Sequence, residues 1–254
     1  MSKPHFGPLS FSSLTAFAQS PRAFVHYKTR QRVTTPAMRM GTLAHRFILE
    51  PAEFRSTCVV YDGQRRGKDW TQFAAEHTEK DILTTSEMKV LTGMLEAIKS
   101  HPEAVRKLSE CSQREIPLTW SKDGHVHRGI IDAFGSGFCL DLKMTVDVSE
   151  RALTRVIYER RYFMQCAMYA HAMAYHGYDI DECYILAVQS AAPHHVSLCN
   201  IAPHYIARGH DEWTRLLQLF NDWDGESEAH THGEDGEITI DAPGWAPSSQ
   251  WMTT

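Results

Sequence analysis

The spacing of apolar residues divides the chain near Glu115 into a helical part and a part that contains strands. Before that point apolar side chains recur every three or four residues, which predicts helices. The predicted elements are a short helix from Ser10 or Ser12 to the residue before Ser20, helices over 38–49 and 85–100, a shorter helix after Pro102, and a mobile Gly-rich basic loop over 62–70.

After Glu115 the pattern becomes typical of strands. Three consecutive strands are predicted over 115–120, 125–134 and 137–143, separated by Gly-containing turns, and they form an antiparallel meander. A long helix over 149–175, strands over 183–189 and 196–201 and a helix over 203–223 follow. We therefore expect one α/β domain over 1–225, with a helical N-terminal part over 1–110 and an αβ catalytic core over 111–225, and a loosely ordered acidic tail over 226–254.

Composition narrows the class of protein. No apolar run is long enough to cross a bilayer, the N-terminus lacks a signal-peptide core, and the six cysteines form no CxxC pair, so we expect a cytoplasmic protein without membrane or zinc chemistry. The net charge of −5 argues against non-specific coating of nucleic acid. Residues 21–70 nevertheless hold ten Lys or Arg against four acids. Arg65, Arg66 and Lys68 in this segment are candidates for contact with a DNA backbone, or form a solvated face.

Two aspartates and a lysine carry the candidate chemistry. Asp132 and Asp141 each interrupt an apolar strand, where an unpaired carboxylate is costly. If a hairpin joins the strands, the two carboxylates meet and require a cation such as Mg²⁺ or Mn²⁺. Lys143 lies two residues after Asp141 and therefore on the same face of the strand, from which it can reach a metal-bound water. Taken alone, this D-x-K spacing is more often an ordinary ion pair.

Four further residues could complete a site. His45 lies on the second predicted helix, four residues after Gly41, a glycine that would permit close backbone approach. Gln165 and Tyr169 share a face of the long helix, and Glu115 opens the strand next to that of Asp132. A helix histidine is more often structural, and a Gln–Tyr pair is more often a satisfied core pair.

Four motifs in order resemble the RecB-like branch of the PD-(D/E)xK nucleases, and most closely the nuclease domain of exonuclease VIII, the RecE type of phages and prophages. The motifs are Gly41-x-x-x-His45, Gly129-x-x-Asp132, Asp141-x-Lys143 and Gln165-x-x-x-Tyr169. Further landmarks are Ser20-Pro21, 41–54, 65–70, Glu115 with Trp120, and 162–169. The chain departs from the pattern in having Ile131 where a proline often stands and Asp141 where many relatives have glutamate.

The resemblance implies a restriction-endonuclease-like α/β core, with a mixed central sheet flanked by helices and a helical N-terminal extension. It implies one or two Mg²⁺ ions (Mn²⁺ as a substitute) held by His45, Asp132, Asp141 and the carbonyl of Leu142, with Lys143 as the catalytic lysine. Glu115 would ligate or support a second metal, and Gln165 and Tyr169 would position DNA or order the lysine.

The same resemblance implies an exonuclease that digests linear duplex DNA from 5′ to 3′, assembles as a ring-shaped homo-oligomer and works with a single-strand annealing protein in recombination, in a bacterial host cell. Two alternatives stay open. The chain could be a degenerate nuclease fold that serves as a DNA-binding or assembly module, or a metal-dependent hydrolase of another phosphate ester.

Overall fold

Helices and strands alternate in blocks along residues 6–31 and 33–225, the part of the chain that the computed structural model describes. The helices there are α1 (Phe11–Gln19), α2 (Pro21–Thr29), α3 (Pro36–Leu49), α4 (Pro51–Thr57), α5 (Gly67–Glu76), α6 (Thr85–Lys99), α7 (Pro102–Glu110), α8 (Glu150–Glu159), α9 (Tyr162–Tyr175) and α10 (Pro203–Asp222). The strands there are β1 (Cys58–Tyr61), β2 (Asp81–Thr84), β3 (Cys111–Lys122), β4 (His125–Gly135), β5 (Gly137–Thr145), β6 (Ile180–Gln189) and β7 (Val196–Asn200). None of these helices is both long and apolar enough to span a membrane.

A five-stranded mixed sheet forms the centre of the molecule. Its strand order is β3-β4-β5-β6-β7, and only β5 and β6 are parallel. The meander of β3, β4 and β5 is the one that the sequence predicts. Because parallel neighbours need a crossover connection, the chain passes through α8 and α9 between β5 and β6.

Helices cover both faces of this sheet and bury two apolar layers. One layer joins the sheet to α1, α2, α8, α9 and α10, with Trp213 and Phe163 fully enclosed. The other joins the sheet to α3, α4, α6 and α7 and to the small parallel sheet of β1 and β2. Leu142 on β5 faces this second layer and is fully buried. The predicted fold, a mixed sheet flanked by helices, is confirmed.

The N-terminal part differs from the prediction in four places, one of which is helix α4 (Pro51–Thr57), which the sequence analysis did not predict. Helix α2 follows α1 directly, since Ser20 ends the first helix and its side chain caps the second. The predicted loop over 62–70 is wrong beyond Arg66, because α5 begins at Gly67 and packs Trp70 and Phe73 against Tyr61. The strands β1 and β2 also lie within the part predicted to be helical, and their four-residue length makes them hard to recognise.

The single long helix predicted over 149–175 is also wrong. Arg161 has left-handed backbone geometry, with φ of 56°, and separates α8 from α9. Its guanidinium donates a hydrogen bond to Glu212 of α10 at 2.6 Å, so the residue at the break contacts the last helix. The predicted tail over 226–254 lies outside the described residues, and the division into parts at residue 110 remains a prediction.

Candidate active site

The two aspartates lie where β4 and β5 separate. These strands pair only from Ala133 with Leu140 to the hairpin turn. Beyond that point Asp132 and Asp141 occupy the gap, each with 7% of its surface exposed. The carboxylate of Asp132 accepts the backbone N–H of Leu142 at 2.6 Å, in place of a ladder hydrogen bond between the strands. The hairpin therefore brings the two carboxylates to one place, as the sequence analysis expected.

Asp132 also belongs to a group of three side chains whose atoms could ligate a metal ion. Nδ1 of His45 on α3 lies 3.3 Å from Oε1 of Glu115 and 3.5 Å from Oδ2 of Asp132. The three side chains each offer one ligand atom within 4.8 Å of the others. Glu115 lies between the registered pairs Arg114–Ala133 and Ile116–Ile131, directly across from Asp132.

The backbone of Glu115 departs from regular strand geometry. Its φ of 49° is left-handed, a conformation that costs about 1–3 kcal/mol for a residue other than glycine. Because of this backbone conformation, the Glu115 side chain does not follow the alternation of side chains along the strand, and its carboxylate contacts His45. Strain of this kind concentrates at functional sites, where the surrounding structure maintains it.

Asp141 is held by a lysine and a glutamine. Nζ of Lys143 lies 2.6 Å from Oδ2 of Asp141. On the opposite oxygen, Nε2 of Gln165 donates at 2.9 Å, and the same amide nitrogen donates to the hydroxyl of Tyr169 at 3.1 Å. Gln165 and Tyr169 are both buried, so in this structure they order Asp141 and do not face solvent. Their expected role in direct DNA contact remains a prediction.

The two glycines of the motifs behave differently. A Cβ atom at Gly129 would lie 2.9 Å from the ring of Tyr169, so the absence of a side chain lets the ring cross β4. A Cβ atom at Gly41 would meet no other atom within 4 Å. The expectation that Gly41 permits a close backbone approach is therefore wrong within the described chain.

The sequence analysis assigned no role to Tyr162, although it lies in one of the landmark stretches. Its ring centroid is 4.9 Å from Nζ of Lys143, a cation–π distance. Tyr162 is three residues before Gln165 at the start of α9, and this helical spacing was the signal that could have found it. Lys143 is therefore held between a carboxylate and an aromatic face.

Burial and charge perturb the ionisation of the site. Burial, together with the charge of Asp141, raises the pKa of Asp132 to about 7. Burial lowers the pKa of Lys143, but the charges of Asp141 and Asp132 outweigh it and hold that pKa well above its usual range. Burial likewise opposes ionisation of His45, whose pKa is nevertheless raised by its hydrogen bond to Glu115 and by the two aspartates. The site thus carries excess negative charge that a cation would relieve.

The basic residues predicted to contact DNA have different surroundings. Arg65 donates to Glu87 at 2.8 Å and to the carbonyl of Ile82 at 2.6 Å, so it fastens its loop to α6 and β2. Arg66 and Lys68 are exposed at the start of α5. Their role in binding DNA remains a prediction.

A hairpin with two facing carboxylates and a lysine, on a mixed sheet flanked by helices, defines a PD-(D/E)xK nuclease-like fold. The chain belongs to the family described as a PDDEXK-like domain of unknown function (DUF3799), whose model matches residues 10–239. No curated protein matches the sequence.

The chain is similar to solved structures, and one of them shares this fold. A crystal structure described as that of a candidate exonuclease from Eubacterium rectale is 11% identical, with 94% of this chain and 91% of that chain covered and a TM-score of 0.64. A phage-related exonuclease from Haemophilus somnus 129PT is 13% identical, with 85% of this chain and 96% of that chain covered and a TM-score of 0.38. The first likeness supports the fold, and the residue roles rest on the geometry above.

Proposed function

We propose that this protein is a Mg²⁺-dependent DNA exonuclease. The observation that carries the proposal is the meeting of His45, Glu115 and Asp132 beside the ion pair of Asp141 with Lys143. An imidazole, several carboxylates and a lysine in one partly buried site match the needs of phosphodiester hydrolysis, in which charge builds on a phosphate that is already anionic.

The donor set fits a hard divalent cation. Carboxylate oxygens are the ligands that Mg²⁺ and Mn²⁺ prefer, and a single imidazole is compatible with them. Burial, and then the charge of Asp141, raises the pKa of Asp132 although His45 and Lys143 act in the opposite direction, and a bound cation would favour the ionised carboxylate. His45, Glu115, Asp132 and Asp141 would hold one or two ions, with the carbonyl of Leu142 as a further ligand. When bound, the cation would polarise the scissile phosphate and lower the pKa of the attacking water.

The chain's own residues would perform the remaining tasks. Lys143 stays protonated because Asp141 and Asp132 raise its pKa, so its ammonium can bind the phosphate and offset charge that develops in the transition state. Gln165 fixes one oxygen of Asp141 and leaves the other for Lys143. Tyr162 limits the movement of the ammonium by contact with its face.

The finer activity that we propose is 5′ to 3′ resection of linear duplex ends during phage-type recombination, in the cytoplasm of a bacterial host. The protein would act as a ring-shaped homo-oligomer together with a single-strand annealing protein. The basic residues Arg65, Arg66 and Lys68 would lie along the path of the duplex, where contacts to phosphates position DNA without reading its sequence.

Digestion of a linear duplex labelled at either its 5′ or its 3′ ends tests this proposal. We expect nucleotide release with Mg²⁺ and none with EDTA, with the 5′ label released first. Light scattering of the same preparation measures the oligomer. Cleavage that persists in EDTA would contradict the metal requirement, and early release of the 3′ label would contradict the polarity.

A further inference from the structure

The first turn of helix α9 carries two side chains that flank the ion pair of the candidate site. The ring of Tyr162 lies 4.9 Å from Nζ of Lys143. Gln165, three residues later on the same helix, donates a hydrogen bond to Asp141 at 2.9 Å. One helical turn therefore contacts both partners of the Asp141–Lys143 pair. Because both side chains extend from one backbone segment, a displacement of that segment would shift the two contacts together.

Helix α10 contacts this turn through an ion pair. Arg161 precedes α9 in left-handed backbone geometry, and its Nε lies 2.6 Å from Oε1 of Glu212 on α10. The carbonyl of Arg161 accepts the N–H groups of Met164 and Gln165, at 2.9 and 3.2 Å. Both side chains of the ion pair are partly buried, and charge-assisted hydrogen bonds of this length are among the stronger contacts between side chains. The residue that begins the first turn of α9 is thus bonded to another helix.

Two further residues of α10 pack against the same turn. A Cβ atom at Gly209 would overlap the carbonyl oxygen of Phe163 and lie 2.9 Å from Cα of Met164, so the absence of a side chain lets the two helices approach this closely. The ring of Tyr205 stacks on that of Phe163, with centroids 4.5 Å apart and an interplanar angle of 11°. Tyr205, Gly209 and Glu212 are spaced by four and then three residues, which puts them on one face of α10. That face meets the first turn of α9 at a ring, at the backbone and at a charged side chain.

We propose that Glu212 is a positioning residue for the active site, which acts through Arg161 on the first turn of α9 and so on the groups that flank Lys143. The proposal rests on the nuclease function proposed above and adds a determinant of its rate that lies outside the four motifs. A small displacement is sufficient, because a shift of about 1 Å in a reacting group can slow catalysis by about a hundredfold. Loss of the ion pair leaves Gly209 and Tyr205 in place, so we expect a partial loss of rate in a protein that still folds.

Steady-state cleavage of an end-labelled linear duplex with Mg²⁺ tests the proposal. Glu212→Gln keeps the shape of the side chain and removes its charge. Asp211→Asn is the matched control, because Asp211 is the exposed neighbour of Glu212 on α10. We expect Glu212→Gln to lower kcat about tenfold with KM within about twofold of the parent, since a misplaced reacting group slows the chemical step more than it weakens substrate binding. Asp211→Asn should match the parent in both constants.

A double-variant cycle tests whether Glu212 acts through Arg161. Arg161→Gly removes the guanidinium and supplies a residue that adopts left-handed geometry without strain. If the two side chains act only as a pair, the double variant Arg161→Gly/Glu212→Gln should be about as slow as either single variant, about tenfold below the parent. Independent effects would multiply to a loss of about a hundredfold and would contradict the coupling.

Hydrogen exchange at the amides of Met164 and Gln165 measures the turn itself and does not depend on activity. These N–H groups bond to the carbonyl of Arg161, so they exchange when the turn opens. In metal-free protein we expect them to exchange about tenfold faster in Glu212→Gln than in Asp211→Asn, the effect expected for one lost charge-assisted hydrogen bond. The amides of β6 serve as the reference for a change in global stability.

Parental kcat in Glu212→Gln would overturn the positioning role, as would a change confined to KM or a lower kcat without faster exchange of the turn. Faster exchange with parental kcat would also overturn it, because the turn would then open without effect on the reaction. If the parent cleaves with Mg²⁺ while these results are negative, the inference fails and the nuclease proposal stands. If the parent does not cleave, the nuclease proposal fails and this inference fails with it.

Discussion

The ionised carboxylate of Asp132 imposes a cost on folding in the metal-free protein. Burial, and then the charge of Asp141, raises its pKa from 3.8 to about 7. Each pKa unit corresponds to about 1.4 kcal/mol, so the cost above pH 7 approaches about 4 kcal/mol. Between about pH 4 and 7 the folded state binds more protons at this group than the unfolded state does, so stability falls as the pH rises through that range.

The substitution Asp132→Asn removes this ionisation and keeps an oxygen that can accept the N–H of Leu142. We expect the free energy of unfolding of the metal-free variant to exceed that of the parent by about 2–4 kcal/mol at pH 8. The gain is smaller than the full cost because Lys143 and His45 each lose a counter-charge. At pH 5 the gain should fall to less than half. Urea denaturation in EDTA at the two pH values measures both differences.

Asp147→Asn is the matched control, because Asp147 is an exposed aspartate whose pKa is lowered by hydrogen bonds from Ser149. It should give no gain at either pH. Equal or lower stability of Asp132→Asn at pH 8, or a gain that does not change with pH, would refute the reasoning. Addition of Mg²⁺ should stabilise the parent and have a much smaller effect on Asp132→Asn, because a ligand stabilises only the state that binds it.

Two further predictions follow from the packing of the site. Gly129→Ala should lower the free energy of unfolding by about 1–3 kcal/mol, because its Cβ would lie 2.9 Å from the Tyr169 ring. Gly41→Ala, which adds a methyl group in open space on α3, should raise that free energy by up to about 1 kcal/mol. Urea denaturation measures both values, and equal effects of the two substitutions would contradict the prediction. Gln165→Leu removes a hydrogen bond to Asp141 and should lower kcat about tenfold or more with little change in KM. The reason is that a misplaced reacting group slows the chemical step more than it weakens substrate binding. A change confined to KM would instead indicate that Gln165 contacts the substrate.

The central sheet and the position of the chemistry could be predicted from local patterns. The hairpin between β4 and β5 is encoded by two apolar runs and a Gly-containing turn, so the meeting of Asp132 and Asp141 depends on neighbouring segments only. Strand alternation was sufficient to put Lys143 beside Asp141. The positions of these three residues are therefore determined mostly by interactions within a short stretch of the sequence.

The structural features that the sequence analysis did not predict depend on contacts between different elements of the fold. Arg161, at the break, contacts Glu212 on α10, and Trp70 and Phe73 of α5 pack against Tyr61 on β1. The approach of Glu115 to His45 depends on a left-handed backbone within a strand, which no propensity of glutamate indicates. Local sequence determines the first group of features, and tertiary packing determines the second.

Cleavage of an end-labelled linear duplex by Lys143→Ala tests the central claim most directly. The matched control is Lys99→Ala, since Lys99 is an exposed lysine at the end of α6 that is paired with Glu96 and is not one of the groups assigned to the site. We predict that the parent and the control release nucleotides with Mg²⁺ and that Lys143→Ala, although folded, is slower by about a hundredfold or more, the usual loss when a group that stabilises transition-state charge is removed. Parental rates of cleavage by folded Lys143→Ala, or no cleavage by the parent with Mg²⁺, would contradict the account.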